Sequence, residues 1–159
     1  MTTASQSRVT ILVTDDDPGH ARLVEKNLAR AGVTNPIKHF ADGEEVLRFF
    51  FAPGARLEVR PDDRYLLLLD IRMPRVDGLE VLRRLKQDPE LRKIPVLMLT
   101  TTDDSREIER CYAAGCNNYI VKPVDYERFA EAVQRLGLFI NLVEVPGLGA
   151  AKAIQPPQD

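Results

Sequence analysis

Residues 65–82 read YLLLLDIRMPRVDGLEVL: a nearly unbroken apolar run that stops on a carboxylate, Asp70, and leads into an amphipathic stretch. Continuous apolar character, as opposed to strict alternation, marks a strand covered on both faces, as in a parallel sheet packed between helices. Two other runs share that character, VTILVT at 9–14 and IPVLMLT at 94–100. Shorter runs at Pro36–Phe40 and Asn118–Val121 bring the number of expected strands to five.

Between the runs, apolar residues recur at helical spacing. Leu23, Val24, Leu28 and Ala31 mark a helix that Asp17 can cap, Pro18 can open and Gly32 can stop. Val46, Phe49 and Phe50 mark a second helix, and Val81, Leu82 and Leu85 a third. Ile108, Cys111, Tyr112 and Gly115 mark the fourth, and Phe129, Ala132, Val133, Leu136 and Ile140 the fifth. A βα unit repeated five times predicts right-handed crossovers and an α/β fold with a doubly wound parallel sheet. The predicted domain spans 8–142, interrupted by a polar surface loop at 52–64. An extension at 143–159 follows, its last nine residues disordered.

With 159 residues the chain has room for one domain with a sizeable core. A formal net charge of −2 gives no electrostatic footprint for nucleic acid. The basic residues Arg83, Arg84, Lys86, Arg92 and Lys93 alternate with Asp88 and Glu90, as on a solvated helix face. No apolar stretch is long enough to span a membrane, and MTTASQSR lacks the apolar core of a signal peptide. Cys111 and Cys116 have no nearby His to complete a metal motif, so free thiols in a reducing cytoplasm are expected.

In doubly wound sheets, chemistry sits at the carboxyl ends of the strands, where the strand order reverses. The first expected strand runs into Asp15-Asp16-Asp17 and the third ends at Asp70. The fourth ends at Thr100-Thr101-Thr102, and the fifth is followed by Lys122-Pro123. Clustered carboxylates repel unless a cation intervenes, and oxygen-only ligands favour hard Mg²⁺. Asp15 and Asp16 are the candidate metal holders, directly or through water. Asp70 is the candidate phosphoryl acceptor, and Lys122 and the Thr100 hydroxyl can bind phosphoryl oxygens. Singly, Asp17 reads better as a helix cap, Thr100 as a turn residue and Lys122 as a surface lysine. Four strand ends carrying this chemistry together are harder to dismiss.

At these residues the chain resembles the receiver domain of two-component response regulators. ILVTDDDP, LLLLDIRMPRVDGLEVL, IPVLMLTT and NYIVKPV carry the likeness, which covers roughly residues 8–140. The D-x-x-M-P-x-x-D-G motif from Asp70 to Gly78 is the most specific piece. The resemblance implies a flavodoxin-like (βα)5 fold with strand order 2-1-3-4-5. It implies phosphorylation at Asp70 and a Mg²⁺ bound by Asp15, Asp16, Asp70 and the backbone carbonyl of Arg72. Thr100 and Tyr119 become the switch pair, moving the face of the fourth helix, fifth strand and fifth helix. A cis Lys122–Pro123 bond is implied as well. Arg72 and Thr102, two residues past Asp70 and Thr100, are expected to tune hydrolysis of the acyl phosphate.

The long second loop and the TT…ERCYAAGCNNYIVKPV segment also look like small regulators paired with phytochrome-type histidine kinases. A homodimer is then expected, through the fourth-and-fifth-helix face or an exchanged C-terminal arm. Phe139, Ile140, Leu142, Val143 and Val145 are apolar beyond what one helix face needs. His20, Arg22, Leu23, Lys26 and Val124 are the implied kinase contacts. With no room after the fifth helix for an output domain, a stand-alone receiver is expected, a signalling protein and not an enzyme of turnover. The competing class is an aspartyl-phosphate phosphotransferase, which commonly carries an acid where Arg72 stands; Arg72 cannot protonate a leaving group. A flavin protein needs a phosphate-binding loop where DDDPGH stands. A docking receiver that is never phosphorylated has no use for the complete site set.

Overall fold

The continuous apolar runs occupy the interior of one five-stranded parallel sheet. The computed structural model describes residues 9–53 and 63–148. Most of the expected loop at 52–64, the first eight residues and the expected disordered tail lie outside them. The strands are β1 (Val9–Thr14), β2 (Ile37–Phe40), β3 (Arg64–Leu69), β4 (Val96–Thr100) and β5 (Asn118–Val121), in the order β2-β1-β3-β4-β5. Registers such as Ile11 opposite Leu66 and Leu67 opposite Val96 are parallel throughout.

Burial explains the sequence pattern. Ile11, Val13, Leu66, Leu68, Leu97 and Leu99 face one helical layer, and Leu12, Leu67, Leu69, Val96 and Met98 face the other. A strand with helices on both faces must be apolar at every position. The short runs are the edge strands, and their exposed positions, Lys38, His39, Asn118 and Val121, interrupt the apolar character. The first layer holds α1 (Pro18–Arg30) and α5 (Tyr126–Ile140). The second holds α2 (Gly43–Phe51), α3 (Gly78–Lys86) and α4 (Ser105–Ala114).

Three strands begin elsewhere than their apolar runs. β2 and β4 start after Pro36 and Pro95, which have no N–H for a ladder, and β3 gains Arg64. Asp70 lies one residue past β3, its N–H still donating to the Thr14 carbonyl at 3.1 Å. Among the described residues every α-helix is capped by an aspartate: Asp17, Asp42, Asp77, Asp104 and Asp125 each accept a first-turn N–H. Each such cap is worth about 1 kcal/mol.

Residues after α5 fold back on the chain itself. The Arg64 guanidinium donates to the Val145 carbonyl, Leu148 N–H to the Asp63 carbonyl (3.1 Å) and Lys93 Nζ to the Leu148 carbonyl (3.3 Å). Val145 and Leu148 are buried, and Leu148 joins the core of the α2–α4 layer. The segment therefore crosses beneath the sheet from one layer to the other. Of the five apolar residues expected to be surplus, Ile140 and Val145 are used internally, whereas Phe139 and Leu142 are exposed.

Candidate functional site

Because the order reverses between β1 and β3, their carboxyl ends flank a crevice, and the aspartates after both strands meet there. Carboxylate oxygens of Asp15, Asp16 and Asp70 lie within 4.8 Å of one another. Lys122, after β5, reaches across with its Nζ 2.6 Å from Asp15 Oδ2 and 3.3 Å from Asp70 Oδ2. Asp15, Asp70, Thr100 and Lys122 are buried, and Asp16 is exposed. The expected set of Asp15, Asp16, Asp70, Thr100 and Lys122 thus stands at one end of the sheet.

Two of the three carboxylates pair with the Lys122 ammonium and the third, Asp16, is exposed beside them, so the cluster carries an excess of negative charge. Burial, opposed by the Lys122 hydrogen bond, pushes the Asp15 carboxyl above its usual range. A divalent oxygen-seeking cation fits this donor set: it supplies the missing charge, and carboxylates are its preferred ligands. The Arg72 backbone borders the same space, its N–H 3.4 Å from Asp70 Oδ1. An open cleft of about 420 Å³ beside the triad is lined by Asp16, Ile71, Arg72, Met73, Pro74, Asp77 and Glu107.

The turn after β3 is held by close backbone approaches. A Cβ on Gly78 would stand 2.2 Å from the Asp70 carbonyl oxygen, and one on Gly43 2.4 Å from that of Val76. The two glycines let the starts of α2 and α3 close on the 71–77 segment, and Gly78 N–H donates to Ile71 O at 2.8 Å. Arg75 sits at φ +68°, unusual for a side-chain-bearing residue, and is pinned by Asp42 at 2.6 Å and Glu44 at 3.1 Å.

The Glu45 N–H, and after it the Arg75 guanidinium, hold the Asp42 carboxyl below its usual range. A depressed folded pKa contributes stability that is complete above the unfolded value, near 3.9, and is lost as pH falls through the folded one. Asp42→Asn keeps a capping oxygen without the charge. Melting scans should show it less stable than wild type at pH 7, with the gap closing below about pH 4. A gap that stays constant with pH contradicts the linkage.

Of the expected switch pair, Thr100 is fully buried and its hydroxyl has no hydrogen-bond partner. Tyr119 is half-buried against the α2–α4 core, and its hydroxyl donates to the Thr102 carbonyl at 2.8 Å. Burial pushes that phenol up to about 12. Arg72 projects outward, its guanidinium 3.2 Å from Glu107 on α4.

Two expectations are corrected. No cis peptide bond occurs among the described residues, so Lys122–Pro123 is trans; the two isomers of an X–Pro bond differ by only about 0.5–1 kcal/mol, and sequence does not decide between them. Leu23 is buried against the sheet and cannot meet a partner, since the stripe that packs α1 includes it. Arg22, Lys26 and Val124 are exposed, Val124 completely. His20, expected only as a partner contact, is part-exposed and also reaches the site, with its Nδ1 3.1 Å from Lys122 Nζ.

Comparison with known proteins places this arrangement. The model of the response regulator receiver domain matches residues 11–134. A solved receiver domain from Rhodospirillum rubrum is 47% identical, with a TM-score of 0.81 over 87% of this chain and 98% of that one. The phosphorylated cyanobacterial phytochrome response regulator RcpA is 28% identical, with a TM-score of 0.77 over 88% and 99% of the two chains. Response regulator Rcp1 of Synechocystis sp. is 30% identical over 138 residues, which is 86% of this chain and 92% of that protein. Its Mn²⁺-bound structure gives a TM-score of 0.76 at 28% identity, over 87% and 99% of the chains.

Proposed function

Because the chain belongs to the response regulator receiver family, whose members take phosphate from histidine kinases, we propose that it accepts the phosphoryl group on Asp70. The observation that carries this reading is the Asp70 carboxylate, buried at the reversal of strand order with Asp15 and Asp16 within 4.8 Å and Lys122 at 3.3 Å. An Asp70 oxygen attacks the phosphorus of the kinase's phosphohistidine, the P–N bond breaks, and the imidazole leaves with the bonding pair. Lys122 binds one phosphoryl oxygen, and the unpartnered Thr100 hydroxyl donates to another. Bound Mg²⁺, held by Asp15, Asp16, Asp70 and the Arg72 carbonyl, would neutralise charge on the transferring group.

The phosphoryl group adds about −1.5 to −2 of charge where Thr100 can reach it. Movement of Thr100 toward it opens space for Tyr119, which exchanges its Thr102 contact for an inward position and alters the α4–β5–α5 face. That face exposes Tyr112, Val121 and Tyr126, and the end of α5 exposes Leu138 and Phe139. Such surfaces suit a homodimer through α4, β5 and α5. Light scattering at high concentration is expected to give twice the chain mass, with Asp70 modified or not; a monomer defeats the dimer.

The likeness to RcpA and Rcp1 supports a phytochrome-type kinase as the donor, acting in the cytoplasm. The test is labelling with radioactive acetyl phosphate, and then with an autophosphorylated phytochrome-type kinase. Label should appear with Mg²⁺, vanish with EDTA and be released by hydroxylamine, as an acyl phosphate is. Label indifferent to EDTA contradicts the metal-assisted reading. Transfer no faster from the phytochrome-type kinase than from an unrelated one contradicts the choice of donor.

A further inference from the structure

The ammonium of Lys122 has three N–H bonds and almost no access to solvent, its side chain being 1% exposed. Every one of those donors must therefore find its acceptor in the protein. Two acceptors are the carboxylates of Asp15 and Asp70, at 2.6 and 3.3 Å. The third is the Nδ1 of His20, at 3.1 Å, from the first turn of α1.

The surroundings of His20 favour this role. A ring nitrogen accepts only when it carries no proton, which puts the imidazole proton on Nε2. Nε2 faces the Asp17 carboxylate, with Oδ2 3.6 Å away. Asp17 uses its other oxygen, Oδ1, to cap the Gly19 and His20 N–H groups, so Oδ2 remains directed at the imidazole. The Phe129 ring on α5 meets the His20 ring edge-on, with centroids 5.4 Å apart, and also lies 5.9 Å beneath Lys122 Nζ. The cap, the imidazole and the phenyl ring thus bring α1 and α5 together on one ammonium.

We propose that His20 is a positioning residue for phosphoryl transfer: its Nδ1 accepts the third N–H of Lys122 and aims the ammonium at the phosphoryl oxygens on Asp70. The inference rests on the reading of Asp70 as the acceptor. Asp15 and Asp70 would also have to hold the metal and the phosphoryl group, whereas His20 would hold neither, so its contact is the support from which Lys122 reaches the phosphoryl oxygens. Without it, the ammonium keeps its charge and loses its direction.

The test compares acetyl phosphate labelling of wild type, His20→Leu and His20→Asn in Mg²⁺, measuring maximal rate and half-saturating concentration separately. Leu keeps bulk against Phe129 but accepts nothing. Asn places an amide oxygen close to where Nδ1 stands. The maximal rate of His20→Leu is expected to fall about tenfold, the worth of one lost hydrogen bond to a charged group, with half-saturation little changed. His20→Asn is expected to recover most of that rate. A His20→Leu protein that labels at the wild-type rate overturns the inference and leaves Asp70 as the acceptor. Equal slowing of both variants also overturns it, because the effect then belongs to helix packing. Absence of label on wild type removes the Asp70 reading itself, and this inference with it.

Discussion

Asp70→Asn is expected to abolish labelling by acetyl phosphate or kinase while leaving the protein folded and at least as stable as wild type in the absence of metal. An amide oxygen is a poor nucleophile and cannot form the acyl phosphate, so the loss should be complete within detection. The stability expectation follows from the charges. Asp15, Asp16 and Asp70 lie within 4.8 Å of one another against the single ammonium of Lys122. Replacing one of them by a neutral amide relieves repulsion, and its oxygen still accepts from Lys122. Added Mg²⁺ should then raise the melting temperature of wild type more than that of the variant. Label on the Asn protein would place the acceptor elsewhere. A variant clearly less stable than wild type without metal would show that the triad is not mutually repulsive.

The second large effect is Gly78→Ala. Its new methyl group would stand 2.2 Å from the Asp70 carbonyl oxygen and 2.9 Å from both the Asp70 carbonyl carbon and Ile71 Cα. These are backbone atoms, held by the Gly78-to-Ile71 hydrogen bond and by the ladder contact of Asp70 with Thr14. They cannot turn aside as a flexible side chain can. Helix propensity favours Ala over Gly by nearly 1 kcal/mol, but the overlap should win by a wide margin, with a net loss of roughly 3 kcal/mol. Gly19→Ala is the control, since the nearest atom to its Cβ is an Asp17 carboxylate oxygen at 3.2 Å. Urea unfolding should show a large drop in midpoint for Gly78→Ala and a small change for Gly19→Ala. Equal midpoints would mean that the turn after β3 has slack.

Much of this was legible before any coordinates. Strands with helices on both faces leave an apolar signature too long to mistake, and the strand-end rule then located Asp15, Asp70, Thr100 and Lys122. What escaped depends on packing between elements distant in sequence. His20 lies in the first turn of α1, and its side chain meets Lys122, just past β5, only once the fold brings these two distant segments to one rim of the sheet. Leu23 belongs to the same helix, and the apolar stripe that already included it packs it against the sheet, so a partner contact there conflicts with the periodicity itself. Leu148 resembles surplus apolar chain, because no local periodicity says which surface a non-helical segment will close on. Of the five aspartate caps only Asp17 was read as one, since Asp42, Asp77, Asp104 and Asp125 act through hydrogen bonds that depend on where each helix begins.

The segment that ends at Leu148 bears on how the molecule can be anchored. By crossing beneath the sheet it delivers the chain to the α2–α4 side, next to Asp63 and Lys93, at the end of the strands opposite Asp70. A six-residue strand such as β3 spans about 20 Å. At Leu148 the chain therefore stands about that far from Asp70, so a support reached through Leu148 begins at the rim opposite the crevice. An immobilised sample prepared this way can be offered kinase in solution, and the signal read will be docking at the free rim.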